Sequence, residues 1–87
     1  MACDFVLSKH AQRDLEELDT TIARRIIQKL LWWQKQAGPL VFAISMRHPA
    51  LGDVRFRVGE YRLIALFNKK KHRVEIIKIG YRKGVYT

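Results

Sequence analysis

The sequence predicts a two-layer α+β domain in which a helix hairpin packs on one face of a mainly antiparallel sheet, in the order β-α-α-β-β-β-β. Three observations carry that prediction. Apolar residues recur at helical spacing between Ala11 and Trp33, and the period becomes that of strands after Gly38-Pro39. The third is length: a chain of 87 residues has room for one core, so residues 1–87 are read as a single domain. At 48% hydrophobic and 29% charged, the composition is that of a folding chain rather than a disordered one.

Each element has its own signal. Phe5-Val6-Leu7 reads as a first strand, Cys3 to Leu7, stopped by Ser8, a good helix N-cap. Ala11, Leu15 and Leu18 then mark the inner side of a short helix whose wet side carries Lys9, Gln12, Arg13, Glu16 and Glu17. Asp19-Thr20-Thr21 breaks that helix and caps the next. In the second helix Ile22, Ile26, Leu30 and Trp33 form a stripe that Ala23, Ile27 and Leu31 widen, and Gly38-Pro39 ends it. Strands follow at Leu40 to Met46, Val54 to Val58, Tyr61 to Phe67 and Arg73 to Ile79, with a loop at Arg47 to Asp53 marked by Pro49 and Gly52.

Composition also narrows the function classes. The single Cys3 excludes an internal disulfide and a cysteine zinc cage, and no secretory leader is visible, so a reducing cytoplasm is expected. The longest nearly uninterrupted apolar run, Pro39 to Met46, is far short of the ~20 residues that span a bilayer, so no membrane partner is expected. Net charge is +9 and unevenly placed: residues 1–46 carry six basic and five acidic side chains, residues 47–87 eleven and three. Solubility does not require that segregation, whereas a polyphosphate or an acidic peptide does. Nucleic acid is the leading partner class.

Val58-Gly59-Glu60-Tyr61 reads as a two-residue hairpin loop with Gly where a type I′ or II′ turn needs positive φ. That loop pairs Val58 with Tyr61, Arg57 with Arg62, Phe56 with Leu63 and Arg55 with Ile64. Phe56, Val58, Tyr61, Leu63, Ala65 and Phe67 then share the face meant for the helices, while Arg55, Arg57 and Arg62 share the other. Like charges opposed across strands destabilise a sheet. A solvated face tolerates lysine, whereas planar bidentate donors suit phosphate, so the trio reads as a phosphate clamp. The last strand, antiparallel to the third, returns Arg82 close to Arg62, and Tyr86 lies four residues further on. Ile64 and Leu66 continue the arginine face and are expected to be exposed apolar surface for a partner.

These residues resemble the RelE/ParE toxin superfamily, and within it the ribosome-dependent messenger-RNA endonucleases of the RelE type. Arg55 to Arg62, R-F-R-V-G-E-Y-R, is similar to the family hairpin R-x-R-x-G-x-Y-R, and Ile79 to Tyr86, I-G-Y-R-K-G-V-Y, to its G-H-R-x-x-V-Y ending. The opening Phe5 to Leu18 resembles the family's first strand and A-x-x-x-L-x-x-L helix. Arginine stands at 55 and 57 where some active members have lysine, and Tyr81 where many have histidine.

The resemblance implies a toxin of a type II toxin-antitoxin pair that cleaves messenger RNA in the ribosomal A site and so inhibits translation. In that reaction a 2′-OH attacks the adjacent phosphate, leaving a 2′,3′-cyclic phosphate and a 5′-OH. By the same resemblance Arg55, Arg57, Arg62 and Arg82 stabilise the charged pentavalent state, because arginine is always protonated and a poor base. Tyr86 stacks on a base in preference to relaying a proton. With no evident His or carboxylate base, positioning by the ribosome supplies much of the rate. No cofactor or metal is implied. The partners implied are the ribosome, messenger RNA and an acidic or amphipathic antitoxin segment over the basic face, in a complex that reaches operator DNA through the antitoxin. Two other readings remain: a ParE-like inhibitor of DNA gyrase without catalysis, and a basic RNA-binding module.

The remaining candidates are weaker. Asn68 to Arg73 is a cation-rich hairpin loop suited to ribosomal RNA or simply to water. Trp33 is expected in the core and Trp32 outside it, since they point about 100° apart on one helix. His10, His48 and His72 lack metal-ligand spacing and read as surface residues. Glu60 reads as a turn residue.

Overall fold

The computed structural model describes residues 3–36, 38, 43–45 and 53–82, with only the backbone at 44 and 45. Its elements follow the expected order: β1 (Asp4–Leu7), α1 (Lys9–Glu16), α2 (Thr20–Lys35), β2 (Ile44–Ser45), β3 (Val54–Val58), β4 (Tyr61–Asn68) and β5 (Arg73–Tyr81). The five strands form one sheet in the order β1-β5-β4-β3-β2, antiparallel except where β1 runs parallel to β5. The expected Leu40 to Met46 strand is seen at Ile44–Ser45; the rest of it, and the Pro49 and Gly52 loop signals, lie outside the described residues.

Both helices start where their caps are. The Ser8 hydroxyl accepts the Ala11 N–H at 3.1 Å, and Asp19 accepts the Thr21 N–H at 2.8 Å, each satisfying a donor that has no partner within its helix. α2 ends at Lys35 on an extended Gln36, before Gly38 is reached. It seats Ile26, Leu30 and Trp33 on the sheet, where Trp33 packs against Phe5 and Phe56 with ring centres 6.2 and 4.7 Å apart. Ile27 and Leu31, expected to widen this stripe, are 43% and 54% exposed. They lie about 100° around the helix from Ile26 and Leu30, and a helix lying on a sheet buries one narrow line of side chains. Trp33 is buried and Trp32 exposed, as their spacing predicts.

The hairpin register is the one read from the turn: Val58 opposite Tyr61, Arg57 opposite Arg62, Phe56 opposite Leu63 and Arg55 opposite Ile64. Gly59 has φ +58° and Glu60 is not left-handed, which fits type II′ and excludes type I′. Phe56, Val58, Leu63 and Ala65 fill the core beneath the helices, with Val74, Ile76 and Ile79 of β5.

β5 carries a bulge. Ile64 pairs with Lys78 but Ala65 pairs with Ile76, so Ile77 is the extra residue. There the backbone passes the end of β1 and is held by α1 instead. The Ser8 hydroxyl donates to the Ile77 carbonyl at 3.3 Å, and an Asp14 carboxylate oxygen accepts the Ile79 N–H at 2.9 Å. A helix side chain thus supplies the hydrogen bond a neighbouring strand would have made.

Candidate functional site: the arginine face

On the face away from the helices, β3, β4 and β5 lay down two rows. Arg57, Arg62 and Gly80 are directly in line, and so are Arg55, Ile64 and Lys78. Arg57 is exposed; Arg55, Arg62 and Lys78 are half-buried. Gly80 puts no side chain beside Arg62, so that row ends in a low floor bordered by cations. Arg82 follows one step beyond it, its N–H donating to the Glu60 carbonyl at 2.9 Å.

Arg62 is oriented by the turn it follows. Its Nη1 donates to the carbonyls of Gly59 and Tyr61 at 3.0 and 3.1 Å, which among the described residues leaves Nε and Nη2 as donors for an anion. A guanidinium tethered on one side and free on the other is preorganised for an oxyanion. Arg82 is held differently: its Nε lies 3.0 Å from a Glu60 carboxylate oxygen. Glu60 is therefore more than a turn residue, because it fixes the arginine expected beside Arg62.

Arg55, Arg57, Arg62 and Arg82 are thus brought together, while Tyr86 lies outside the described residues. Lys78 is a fifth cation on this face that the sequence reading missed. Its signal was present, since Lys78, Gly80 and Arg82 alternate at i, i+2 and i+4 and so share a side of one strand. Tyr81 sits on the opposite side, 5.7 Å from Tyr61 in an edge-to-face contact. A side chain at position 81 in this register stands beside the helix layer, not among the arginines.

One expectation fails. Ile64 is 1% exposed, whereas Leu66 is 39% exposed. Ile64 is flanked in register by Arg55 and Lys78, whose apolar stems are long enough to lie along it, so its position on the arginine face does not make it accessible. Among the described residues no cluster of three or more His, Cys, Asp or Glu side chains is placed to hold a metal ion. His10 is at the surface of α1, 3.4 Å from Asp14, and His72 is exposed in the β4–β5 loop. Among the described residues no helix is long and apolar enough to cross a membrane.

The architecture has solved counterparts. A toxin-antitoxin complex from Mycobacterium tuberculosis, RelBE2, superposes with a TM-score of 0.81 at 22% identity, covering 94% of this chain and 100% of that one. The archaeal RelE-RelB complex from Pyrococcus horikoshii gives 0.73 at 24% identity, with 98% and 100% covered. A double arginine-to-alanine mutant of the Escherichia coli toxin RelE, in the free state, gives 0.70 at 19% identity, with 93% and 84% covered. This is the RelE fold. No protein-family profile matches the sequence, and no curated protein sequence is significantly similar to it. The RelE likeness is therefore one of shape, and the chemistry this chain can offer lies in its arginine face.

Proposed function

We propose that this protein is the toxin of a type II toxin-antitoxin pair, acting in the cytoplasm as a ribosome-dependent endoribonuclease on messenger RNA in the A site. The observation that carries this reading is the row Arg57, Arg62, Gly80 on the open face of a RelE fold, with Arg62 tethered to the turn and Arg82 one step away. The row suits one scissile phosphate, and the 2′-OH next to that phosphate is the nucleophile. Arg57 and the free side of Arg62 neutralise the pentavalent oxyanion, Arg55 and Arg82 hold the flanking backbone, and Tyr86 stacks on a base. Among the described residues the carboxylate nearest this row in register is Glu60, and it is engaged with Arg82. The base that takes the 2′-OH proton, and the acid that returns one to the 5′-oxygen as the P–O5′ bond breaks, are therefore expected from the ribosomal complex, which makes the isolated protein a slow nuclease.

Antitoxin, ribosome and messenger RNA are the partners this reading requires, with operator DNA reached through the antitoxin. An acidic antitoxin segment meets the arginines, and Leu66 gives it an apolar foothold on the same face. Mapping 5′ ends of cellular transcripts after induction tests the proposal: breaks at fixed positions within codons are expected. Intact transcripts with damaged DNA would replace it with gyrase inhibition, and intact transcripts with intact DNA would leave a binding module.

A further inference from the structure

Where α2 crosses the end of β3 and the β3–β4 turn, an open cleft of about 300 Å³ is lined by Arg25, Gln28, Lys29, Arg57, Val58 and Gly59. Three of the six are cations and none is an acid. Arg25, Gln28 and Lys29 fall on one side of α2 by their i, i+3 and i+4 spacing. The Arg25 guanidinium reaches over Gly59: a Cβ built on that glycine would lie 3.6 Å from its Nη2. Lys29 places its Nζ 5.0 Å from the centre of the Trp32 ring, and an ammonium in that contact keeps N–H donors directed away from the ring. Among the described residues neither Arg25 nor Arg57 is in an ion pair. Like charges gathered around a cleft cost stability and attract an anion, so the arrangement suits an anionic ligand.

We propose that this cleft is a second phosphate site, which holds a backbone phosphate of single-stranded RNA a short step along the chain from the phosphate at the arginine row. Arg57 belongs to both places, lining the cleft and standing opposite Arg62. Paired residues on adjacent strands are roughly 4.5 to 5.5 Å apart, which puts Arg62 beside Arg57, and Arg57 in turn shares the lining of the cleft with Arg25 and Lys29. A phosphate fits better than an antitoxin side chain, because a stable peptide contact needs an apolar anchor and the only apolar lining residue, Val58, is 6% exposed. The site rests on the reading of the arginine face as an RNA surface.

The probe is a hexanucleotide of 2′-O-methyl RNA, whose blocked nucleophile prevents cleavage, bound to purified protein at several salt concentrations. The double substitution Arg25→Gln, Lys29→Gln should weaken binding by roughly 10-fold near ~0.1 M salt and lower the slope of log K against log salt by about 1.4, at ~0.7 per lost contact to a single strand. Unchanged affinity and slope in a variant with the wild-type circular dichroism spectrum would overturn the cleft. So would a variant that keeps its RNA affinity but loses antitoxin affinity, since that assigns the cleft to acidic peptide. Cleavage on programmed ribosomes separates the two readings. If wild type cleaves and Arg62→Ala does not, failure in the hexanucleotide assay removes only the cleft. If wild type does not cleave but the double variant binds more weakly, the cleft stands and the endonuclease falls. Wild type that binds no RNA removes both.

Discussion

Two rows of residues cross the same three strands one position apart. Phe56, Leu63 and Ile79 are 0%, 0% and 4% exposed beneath the helices, whereas Arg57, Arg62 and Gly80 face the other way. The first row obeys close packing: each side chain removes apolar area from water and leaves no polar group behind. The second runs against packing, opposing two cations and ending on a glycine. Strand geometry forces neighbouring residues onto opposite faces, so one short stretch, Val54 to Leu66, both builds the core and carries the candidate site. A substitution in either row should therefore act on one property and spare the other.

The largest expected effect lies in the packed row. Phe56→Ala empties a site shared with Phe5 and Trp33 and should cost about 3 to 5 kcal/mol, a large share of the roughly 4 to 13 kcal/mol available to a domain of this size. Urea denaturation should show a greatly lowered midpoint. In the other row Arg62→Ala should leave the stability from the same assay within about 0.5 kcal/mol of wild type while cleavage on programmed ribosomes falls ~10- to 150-fold. A folded Arg62→Ala protein as active as wild type would end the contrast.

Tyr86 sharpens the same comparison. If it stacks, Tyr86→Phe keeps most single-turnover cleavage and Tyr86→Ala loses ~1 to 3 kcal/mol of transition-state binding. Equal losses of ~10²- to 10⁴-fold in both would make its hydroxyl an acid or base. Asp14→Ala tests the seam between helix and sheet. Leaving the Ile79 N–H without its acceptor should cost about 1 to 2 kcal/mol, and hydrogen exchange should rise at Ile79 before it rises at Leu63. The smallest effect belongs to Glu60→Gln, which releases Arg82 from an ion pair whose side chains are 48% and 56% exposed. Stability should change by less than ~1 kcal/mol in the denaturation assay. RNA affinity should rise modestly, because Arg82 is no longer neutralised.

Much of this was legible in the amino-acid sequence because it is local. Ser8 and Asp19 cap helices within three residues of themselves, and Gly59 sets a two-residue turn from which every pairing between β3 and β4 follows. The co-facing of Arg55, Arg57 and Arg62 is a consequence of that turn and of alternation, so it needed no tertiary knowledge. Only the folded chain decided what depends on distant residues. Asp14 reaches Ile79 across 65 positions, and together with Ser8 it holds the Ile77 bulge against which Ile64 meets Lys78. The bulge shifts the β4–β5 register by one residue, and pairing counted back from Asn68 and Arg73 would have put Ile77, not Lys78, opposite Ile64. The burial of Ile64, the Glu60 tether on Arg82 and the meeting of α2 with the β3–β4 turn at Arg25 have the same origin. Periodicity and turn chemistry are written in neighbours along the chain, whereas these contacts exist only once separate elements have packed.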